Sequence, residues 1–146
     1  MRIFNKQAPT QFSVEEKIEA GIVLQGQEVK AVKGGHADLT GSYVKILGSE
    51  AYLINAKIFP YQFARTEGYQ ETRTRKLLLH KKELLRLKTK LAEGKYTLVG
   101  ISLYDKKGLI KAEIGLSKGK KKQERRKDLK QRDLQREAEI EAKEYY

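Results

Sequence analysis

Two groups of basic residues carry the chemistry that this sequence offers. The first group has five cations within ten residues: Arg73, Arg75, Lys76, Lys81 and Lys82. The second is residues 117–133 (SKGKKKQERRKDLKQRD), in which more than half of the residues are Lys or Arg and Leu129 is the single large apolar residue. Lysine and arginine neutralise phosphates and release counterions, which gives salt-sensitive affinity for nucleic acid. One such group alone is equally typical of a solvated surface, but two of them favour RNA or DNA as the partner.

The overall charge supports the same partner. The chain has 146 residues, with 31 Lys and Arg against 19 Asp and Glu, which gives a net charge of +12. This balance predicts attraction to polyanions. No apolar stretch approaches the length that spans a bilayer, and the N-terminal residues lack the apolar centre of a secretory signal. Cysteine is absent, which fits a reducing compartment. We therefore expect a cytoplasmic protein without a membrane partner.

The residues that catalysis or metal binding would need are sparse. His36 and His80 are the only histidines, and without cysteines they predict no metal site. We find no nucleophile elbow, phosphate-binding glycine loop or paired carboxylates. Glu19 lies beside Gly21 among apolar residues, where a carboxylate can accept hydrogen bonds from a guanine edge, although its position alone favours a strand-edge residue facing water. The sequence predicts no catalytic residue, no cofactor and no enzymatic activity.

Aromatic side chains are candidates for stacking on unpaired bases. They are Tyr43, Tyr52, Phe59, Tyr61, Phe63 and Tyr69. Tyr43 and Tyr52 lie in predicted strands, which favours the core for both. Residues 59–63 lie in a predicted loop, where exposure and burial are equally compatible with the pattern.

Alternating apolar residues predict strands through the middle of the chain. Residues 43–47 and 51–58 form one predicted hairpin, and residues 97–104 and 109–116 form a second one. Residues 19–24 predict the end of a further strand, whereas residues 1–10 are short, polar and predicted to be loose.

Two helices are expected between these strands, near residues 27–34 and 81–93, the second with Leu84, Leu87 and Leu91 on one face. The sequence therefore predicts a mainly β fold, a small closed or partly closed barrel of about six antiparallel strands with flanking helices, over residues 1–117. The OB-type barrel is the commonest nucleic-acid-binding example, but periodicity alone does not separate it from other small β-barrels. Residues 118–146 are highly charged and are predicted to be a basic, solvated tail outside the barrel.

Four segments resemble the small protein B (SmpB) family, the SsrA RNA (transfer-messenger RNA, tmRNA)-binding proteins of trans-translation. They are IEAGIVLQGQEVKAVKGG, SYVKI, TRTRKLLLHKKEL and KAEIGLSKGKKKQERRKDLKQRD, and with their spacing they cover residues from about 5 to 136. The resemblance implies an OB-type barrel with a tail that is disordered when free, and a bipartite adaptor that is not an enzyme. On this basis we expect the barrel to hold the tRNA-like domain of tmRNA. We expect the tail to enter the decoding centre and empty mRNA channel of the small subunit and to fold there, which allows the unfinished protein to be tagged for proteolysis. An elongation factor that delivers aminoacyl-tRNA is a further implied partner, and we expect a monomer.

The resemblance also assigns residues to each RNA. In the barrel, the family's motifs fall on Asn5, Lys6, Glu19, Lys76, Leu78, His80 and Lys111, to which the basic cluster adds Arg73 and Arg75. In the tail, the expected ribosome contacts are Lys118, Lys120, Lys121, Gln123, Glu124, Arg125, Arg126, Lys130 and Arg132. The family often has His or Tyr at the position of Gln123, and those rings suit stacking on a ribosomal base; glutamine lacks such a ring but can still hydrogen-bond. For Glu19, the resemblance reverses the preference for a merely solvent-facing carboxylate.

Without the family resemblance, the residues alone are compatible with other functions. A general OB-type binder of single-stranded RNA, or a ribosomal protein, would show the same charge and the same barrel. A nuclease or an RNA-modifying enzyme would need a catalytic site that the sequence does not offer.

Overall fold

The computed structural model of the protein describes residues 2–119. Its elements in chain order are β1 (Arg2–Phe4), α1 (Ala8–Gln11), β2 (Phe12–Ile22), α2 (Gly26–Lys33), β3 (Ala37–Asp38), β4 (Tyr43–Leu47), β5 (Glu50–Ile54), β6 (Lys57–Ile58), β7 (Arg75–Leu78), α3 (Lys81–Ala92), β8 (Thr97–Lys106) and β9 (Leu109–Gly119). The described part of the chain is mainly β, as the alternating sequence pattern predicts.

Six of these strands close into a barrel. The hydrogen-bonded order is β8, β4, β5, β7, β2 and β9, and β9 pairs back onto β8. Each of these pairings is antiparallel. Strand β1 extends the sheet beside β8, and β3 and β6 form a separate two-stranded ribbon. This arrangement confirms the predicted barrel of about six antiparallel strands.

The β8–β9 hairpin shows how the sequence specifies its own register. Lys107 and Gly108 both have positive φ, at 51° and 82°, as a tight two-residue hairpin turn requires. The Asp105 carboxylate accepts a hydrogen bond from the Gly108 N–H at 3.0 Å and fixes the turn. The strands then pair from Lys106 and Leu109 outward, which sends Leu103 and Ala112 into the core together.

The core fills the barrel and extends under two helices. Helix α2 buries Ala31 and Val32 completely, and α3 buries Leu87, the middle residue of its leucine stripe. The three-and-four spacing of Leu84, Leu87 and Leu91 places them on one face, which is the reason this helix was predictable. The helices expected near residues 27–34 and 81–93 span Gly26–Lys33 and Lys81–Ala92.

The N-terminal residues are not loose, so that expectation was wrong. Strand β1 pairs with β8, and α1 follows it. The Asn5 side chain connects the two, because its amide donates to the carbonyl oxygens of Leu39 and Gly100 at 3.1 and 2.8 Å. Its own oxygen accepts from the Ala8 N–H at 3.2 Å. The partners lie far away in the sequence, so no local pattern announced them.

Three other expectations need correction. The predicted strand 51–58 breaks at Asn55, whose φ is +63°, so that residues 57–58 pair with β3 instead. Tyr43 is exposed and Tyr52 half-buried, because the neighbouring Val44 and Leu53 take the inward positions. The barrel also runs two residues beyond the predicted boundary at 117, to Gly119.

Candidate nucleic-acid interface

One row of residues crosses the outside of the barrel from β7 to β1. Leu78 pairs with Gly21, Gly21 pairs with Lys111, Lys111 pairs with Tyr104, and Tyr104 pairs with Arg2. Directly paired residues point to the same side of a sheet. The register therefore brings three sequence-predicted positions, Leu78, Lys111 and the Glu19–Gly21 segment, onto one surface, which we call the outer row.

Gly21 gives Leu78 its place in the outer row. A side chain built on Gly21 would put its Cβ 3.2 Å from the Leu78 Cβ, tighter than most real contacts. Because glycine leaves that space open, Leu78 lies over β2 while 54% of its surface remains exposed. An exposed leucine held in this way offers an apolar contact to a ligand.

The Glu19 carboxylate is the centre of a hydrogen-bonded group within the outer row. The Tyr104 hydroxyl donates to Glu19 Oε2. The Lys106 Nζ lies 3.2 Å from Oε1 and 3.3 Å from Oε2. Hydrogen bonds from Tyr104 and Lys106 lower the pKa of Glu19, so the group is a carboxylate at neutral pH. Its side chain remains exposed and can accept further N–H donors.

Tyr104 acts as a fixed neutral donor. Burial, together with its hydrogen bond to Glu19, raises the pKa of Tyr104 to about 12. The Arg2 guanidinium covers the ring, with Cζ 4.3 Å from the ring centroid, and its Nη1 lies 3.8 Å from Glu113 Oε2. These groups and Lys17 line an open cleft of about 470 Å³.

A second polar group on the barrel surface surrounds Lys76. Its Nζ lies 2.9 Å from Glu50 Oε1, and the Tyr52 hydroxyl donates to Glu50 Oε2 at 2.5 Å. The hydrogen bond to Glu50 and the opposite charge raise the pKa of Lys76. Glu50 therefore holds the Lys76 ammonium in place on β7, while part of the Lys76 side chain remains exposed to solvent.

The remaining accessible candidates lie at the ends of elements. His80 is the exposed N-cap residue of α3 and makes no side-chain capping hydrogen bond. Lys81 and Lys82 follow in the first helical turn and are exposed. Lys6 is exposed between β1 and α1. These positions keep the charge at the surface, where phosphate groups can reach it.

Arg75 and Asn5 occupy the interior instead. The Arg75 side chain is 0% exposed and lies against the equally buried Glu28, with Nε 2.7 Å from Glu28 Oε2. Its terminal nitrogens donate to the carbonyl oxygens of Ala56 and Glu71 at 2.8 and 3.0 Å. The Asn5 side chain is engaged in the hydrogen bonds described above. Both side chains hold the scaffold and do not face a ligand, so we leave them out of the RNA-contacting surface.

Glu28 is the residue that the sequence analysis missed. It accepts from Arg73 Nη2 at 2.6 Å, from Arg75, and from the Gln25 N–H at 2.8 Å as part of a capping box. Burial raises the pKa of Glu28, but the hydrogen bonds from Arg73, Gln25 and Arg75 outweigh this effect and lower it. The three-residue spacing of Gln25 and Glu28 was a local sign of the cap. Arg73 is half-buried: one of its guanidinium nitrogens contacts Glu28, and part of its side chain remains at the surface.

The tail positions divide at Gly119. Lys118 lies in β9, with its Nζ 3.2 Å from Glu15 Oε1 and 5.0 Å from the Tyr96 ring centroid. It belongs to the barrel, contrary to its expected place in the tail. The other tail positions, from Lys120 to Arg132, lie outside the described residues.

Two further observations apply to residues 2–119. No helix in this range is long and apolar enough to cross a membrane. The same range holds no group of three or more His, Asp or Glu side chains placed to bind a metal ion.

A closed antiparallel barrel with a basic outer surface is typical of small nucleic-acid-binding domains. A comparison with known protein families identifies which family of nucleic-acid-binding proteins this is. A family model described as "SmpB protein" matches residues 2–144, and the chain belongs to that family.

Similar proteins are found in several bacteria. The SsrA-binding protein of Pelobacter propionicus is 46% identical over 133 residues, which are 91% of this chain and 88% of that protein. The SsrA-binding protein of Geobacillus kaustophilus is 44% identical over 92% of this chain and 87% of its own length. A solved chain described as "tmRNA-SmpB: a journey to the center of the bacterial ribosome" has a TM-score of 0.70 and 39% identity, over 83% of this chain and 85% of that one.

Proposed function

We propose that this chain is the tmRNA-binding adaptor of trans-translation. The barrel binds the tRNA-like domain of tmRNA, and the residues after Gly119 occupy the decoding centre and empty mRNA channel of the small ribosomal subunit. A stalled ribosome then accepts tmRNA without a codon, and the nascent protein is tagged for proteolysis. The observation that carries the proposal is the outer row. It joins Glu19, Leu78 and Lys111, three positions that the resemblance assigns to RNA and that the chain supplies from three strands.

The chemistry of the outer row suits a folded RNA. The Glu19 carboxylate accepts N–H groups from a base edge, which discriminates between bases as phosphate contacts do not. Leu78 packs against a sugar or base, and Lys111 neutralises a phosphate close by. Tyr104 and Lys106 hold Glu19 charged and in place, so little order has to be gained when RNA binds.

The proposed contacts separate into two sets. On the barrel, the set is Lys6, Glu19, Arg73, Lys76, Leu78, His80 and Lys111. On the ribosome, the set is Lys120, Lys121, Gln123, Glu124, Arg125, Arg126, Lys130 and Arg132, with Lys118 at the junction. The protein acts in the cytoplasm as a monomer, with the elongation factor that delivers aminoacyl-tRNA as a further partner, and it contributes binding rather than catalysis.

A variant that ends at Gly119 tests this division. Residues 120–146 contain ten Lys and Arg and seven Asp and Glu, so the truncation lowers the net charge only from +12 to +9. We expect the variant to bind the tRNA-like domain almost as tightly as the full chain and to fail in a tagging reaction on stalled ribosomes. Loss of tmRNA binding as severe as the loss of tagging would contradict the two-part function.

A further inference from the structure

The loop between β6 and β7 presents aromatic rings to solvent. Phe63 is 79% exposed and Phe59 is 38% exposed, although both are fully apolar. An exposed apolar group of this kind marks a binding surface more often than a structural one when its neighbours are polar. Neither ring belongs to the outer row, so the function proposed above leaves them unexplained.

Phe59 and Tyr61 form a cleft with residues at the end of α2, and Phe63 lies beside that cleft, against Tyr61. The Tyr61 and Phe63 rings meet edge to face, with centroids 5.5 Å apart and planes at 72°. The Lys30 Nζ lies 5.5 Å from the Tyr61 ring centroid. Lys30, His36, Phe59, Pro60, Tyr61 and Gln62 line a depression of about 320 Å³, which we call the aromatic cleft.

Hydrogen bonds fix the loop before any ligand arrives. The Phe59 N–H donates to the His36 carbonyl oxygen at 3.0 Å, and the Tyr69 hydroxyl donates to the Ile58 carbonyl oxygen at 2.8 Å. At the end of the loop, the buried Arg75 side chain donates a hydrogen bond to the Glu71 carbonyl oxygen at 3.0 Å and another to the Glu28 carboxylate on α2. Because the backbone is held on both sides, a ligand meets a formed surface and little ordering entropy is lost on binding.

We propose that the aromatic cleft holds an unpaired nucleotide base of a bound RNA. The Tyr61 contact covers at most one face of the Phe63 ring, and a base stacks on the open face. Lys30 at the cleft wall neutralises the phosphate of the same nucleotide. The cation and the strongly basic chain favour an anionic occupant over an apolar protein surface, and the exposed rings favour the bases of RNA over an acidic protein surface. The proposal rests on the proposed function, since the RNA is either tmRNA or ribosomal RNA.

A single tryptophan reports on this site directly. The chain contains no tryptophan, so Phe63→Trp introduces one fluorophore beside the aromatic cleft, against its lining residue Tyr61. Leu85→Trp is the matched control, because Leu85 is 69% exposed on α3 and lines a different depression, with Gly48 and Lys81. Each full-length variant is titrated with tmRNA alone and, in a second arm, with tmRNA and stalled ribosomes, and binding is followed in parallel by gel shift.

Quenching of tryptophan emission in the Phe63→Trp variant but not in the Leu85→Trp variant is the expected result, and the arm in which it appears identifies the source of the base. Phe63→Ala weakens binding in that arm about tenfold, whereas Phe63→Tyr retains the affinity because the ring is kept.

Two results overturn the aromatic cleft and leave the proposed function standing. One is emission of the Phe63→Trp variant that stays constant in both arms while the gel shift shows binding. The other is an ultraviolet cross-link from the cleft to a ribosomal protein. Absence of tmRNA binding by the wild-type chain contradicts the proposed function itself.

Discussion

Tyr104 on β8 donates a hydrogen bond to Glu19 on β2, across 85 positions of sequence and the full width of the intervening strand β9. The pair turns an exposed carboxylate into a fixed acceptor, and burial together with this hydrogen bond raises the pKa of Tyr104 to about 12, which keeps the tyrosine neutral. The RNA recognition proposed for the outer row depends on this relationship, because an unrestrained glutamate among neighbouring lysines would sample many positions.

Replacing Glu19 by glutamine removes the charge and keeps the shape. We expect Glu19→Gln to weaken binding to the tRNA-like domain at least about tenfold, since hydrogen bonds to charged groups are the stronger ones. Glu93→Gln, at an exposed position at the end of α3, is the control and leaves the affinity unchanged. Equal affinities for the two variants in a gel shift would contradict the role of Glu19.

The two exposed leucines separate a binding role from a general loss of apolar surface. Leu78→Ala and Leu85→Ala remove the same atoms from positions that are 54% and 69% exposed. Both changes alter the free energy of unfolding by no more than about 0.5 kcal/mol, as is usual at the surface. We expect Leu78→Ala alone to lower the RNA affinity, by about tenfold, because the methyl groups lose their contact with the ligand. Denaturant unfolding and filter binding on both variants check this, and a parallel loss for Leu85→Ala would refute it.

Asn5 is expected to stabilise the fold and not to contact RNA. Asn5→Ala removes two donated hydrogen bonds and leaves the carbonyl oxygens of Leu39 and Gly100 without that donor. The free energy of unfolding should fall by about 2 kcal/mol, while the folded variant binds RNA with wild-type affinity. The opposite pattern, with wild-type stability and weaker binding, would restore Asn5 to the RNA-contacting set.

The buried Glu28 makes the stability of the barrel depend on pH. Its pKa is lowered in the folded state, so its ionised form contributes stability above the ordinary value of 4.5, and this contribution is lost as the pH falls through the folded value. Glu28→Gln leaves Arg75 buried without a counter-charge, which costs about 3–5 kcal/mol at neutral pH. The difference in unfolding free energy between wild type and variant should therefore shrink below pH 4.5.

Urea titrations of both proteins at neutral and acidic pH measure this difference. The exposed pair Lys118–Glu15 serves as a control, because Glu15→Gln changes little at either pH. A constant difference across the range would show that the Glu28 charge does not stabilise the fold.

The local patterns of the sequence were sufficient for the hairpins, for α3 and for the number of barrel strands. In the β8–β9 hairpin, for example, the signals lie close together in the sequence. They are the alternating apolar residues around Leu103 and Ala112 and the turn at Lys107 and Gly108. The roles of Arg75 and Glu28 were not predictable, because 47 positions separate the two charges and an arginine in a basic cluster favours a surface. The prediction that Tyr43 lies in the core was wrong for a related reason. An alternating pattern shows that a strand has two faces, but it does not show on which face an aromatic residue lies.

The outer row illustrates the same limit. The resemblance identified its residues one at a time. That they lie side by side depends on the registers of β2 with β7 and of β2 with β9, which a short stretch of sequence does not encode. The Tyr104–Glu19 hydrogen bond went unnoticed in the sequence, where Tyr104 was simply a residue of the last hairpin.

The central claim is that the barrel recognises the tRNA-like domain of tmRNA specifically and not RNA in general. A competition gel shift measures this directly, with labelled tRNA-like domain and unlabelled tRNA-like domain, ordinary tRNA or single-stranded DNA as competitors at low and physiological salt. We predict that only the unlabelled tRNA-like domain competes at equal concentration, and that this preference persists at the higher salt although affinity falls. Binding that vanishes with salt and is displaced equally by all three competitors would contradict the account and leave a general basic RNA binder in its place.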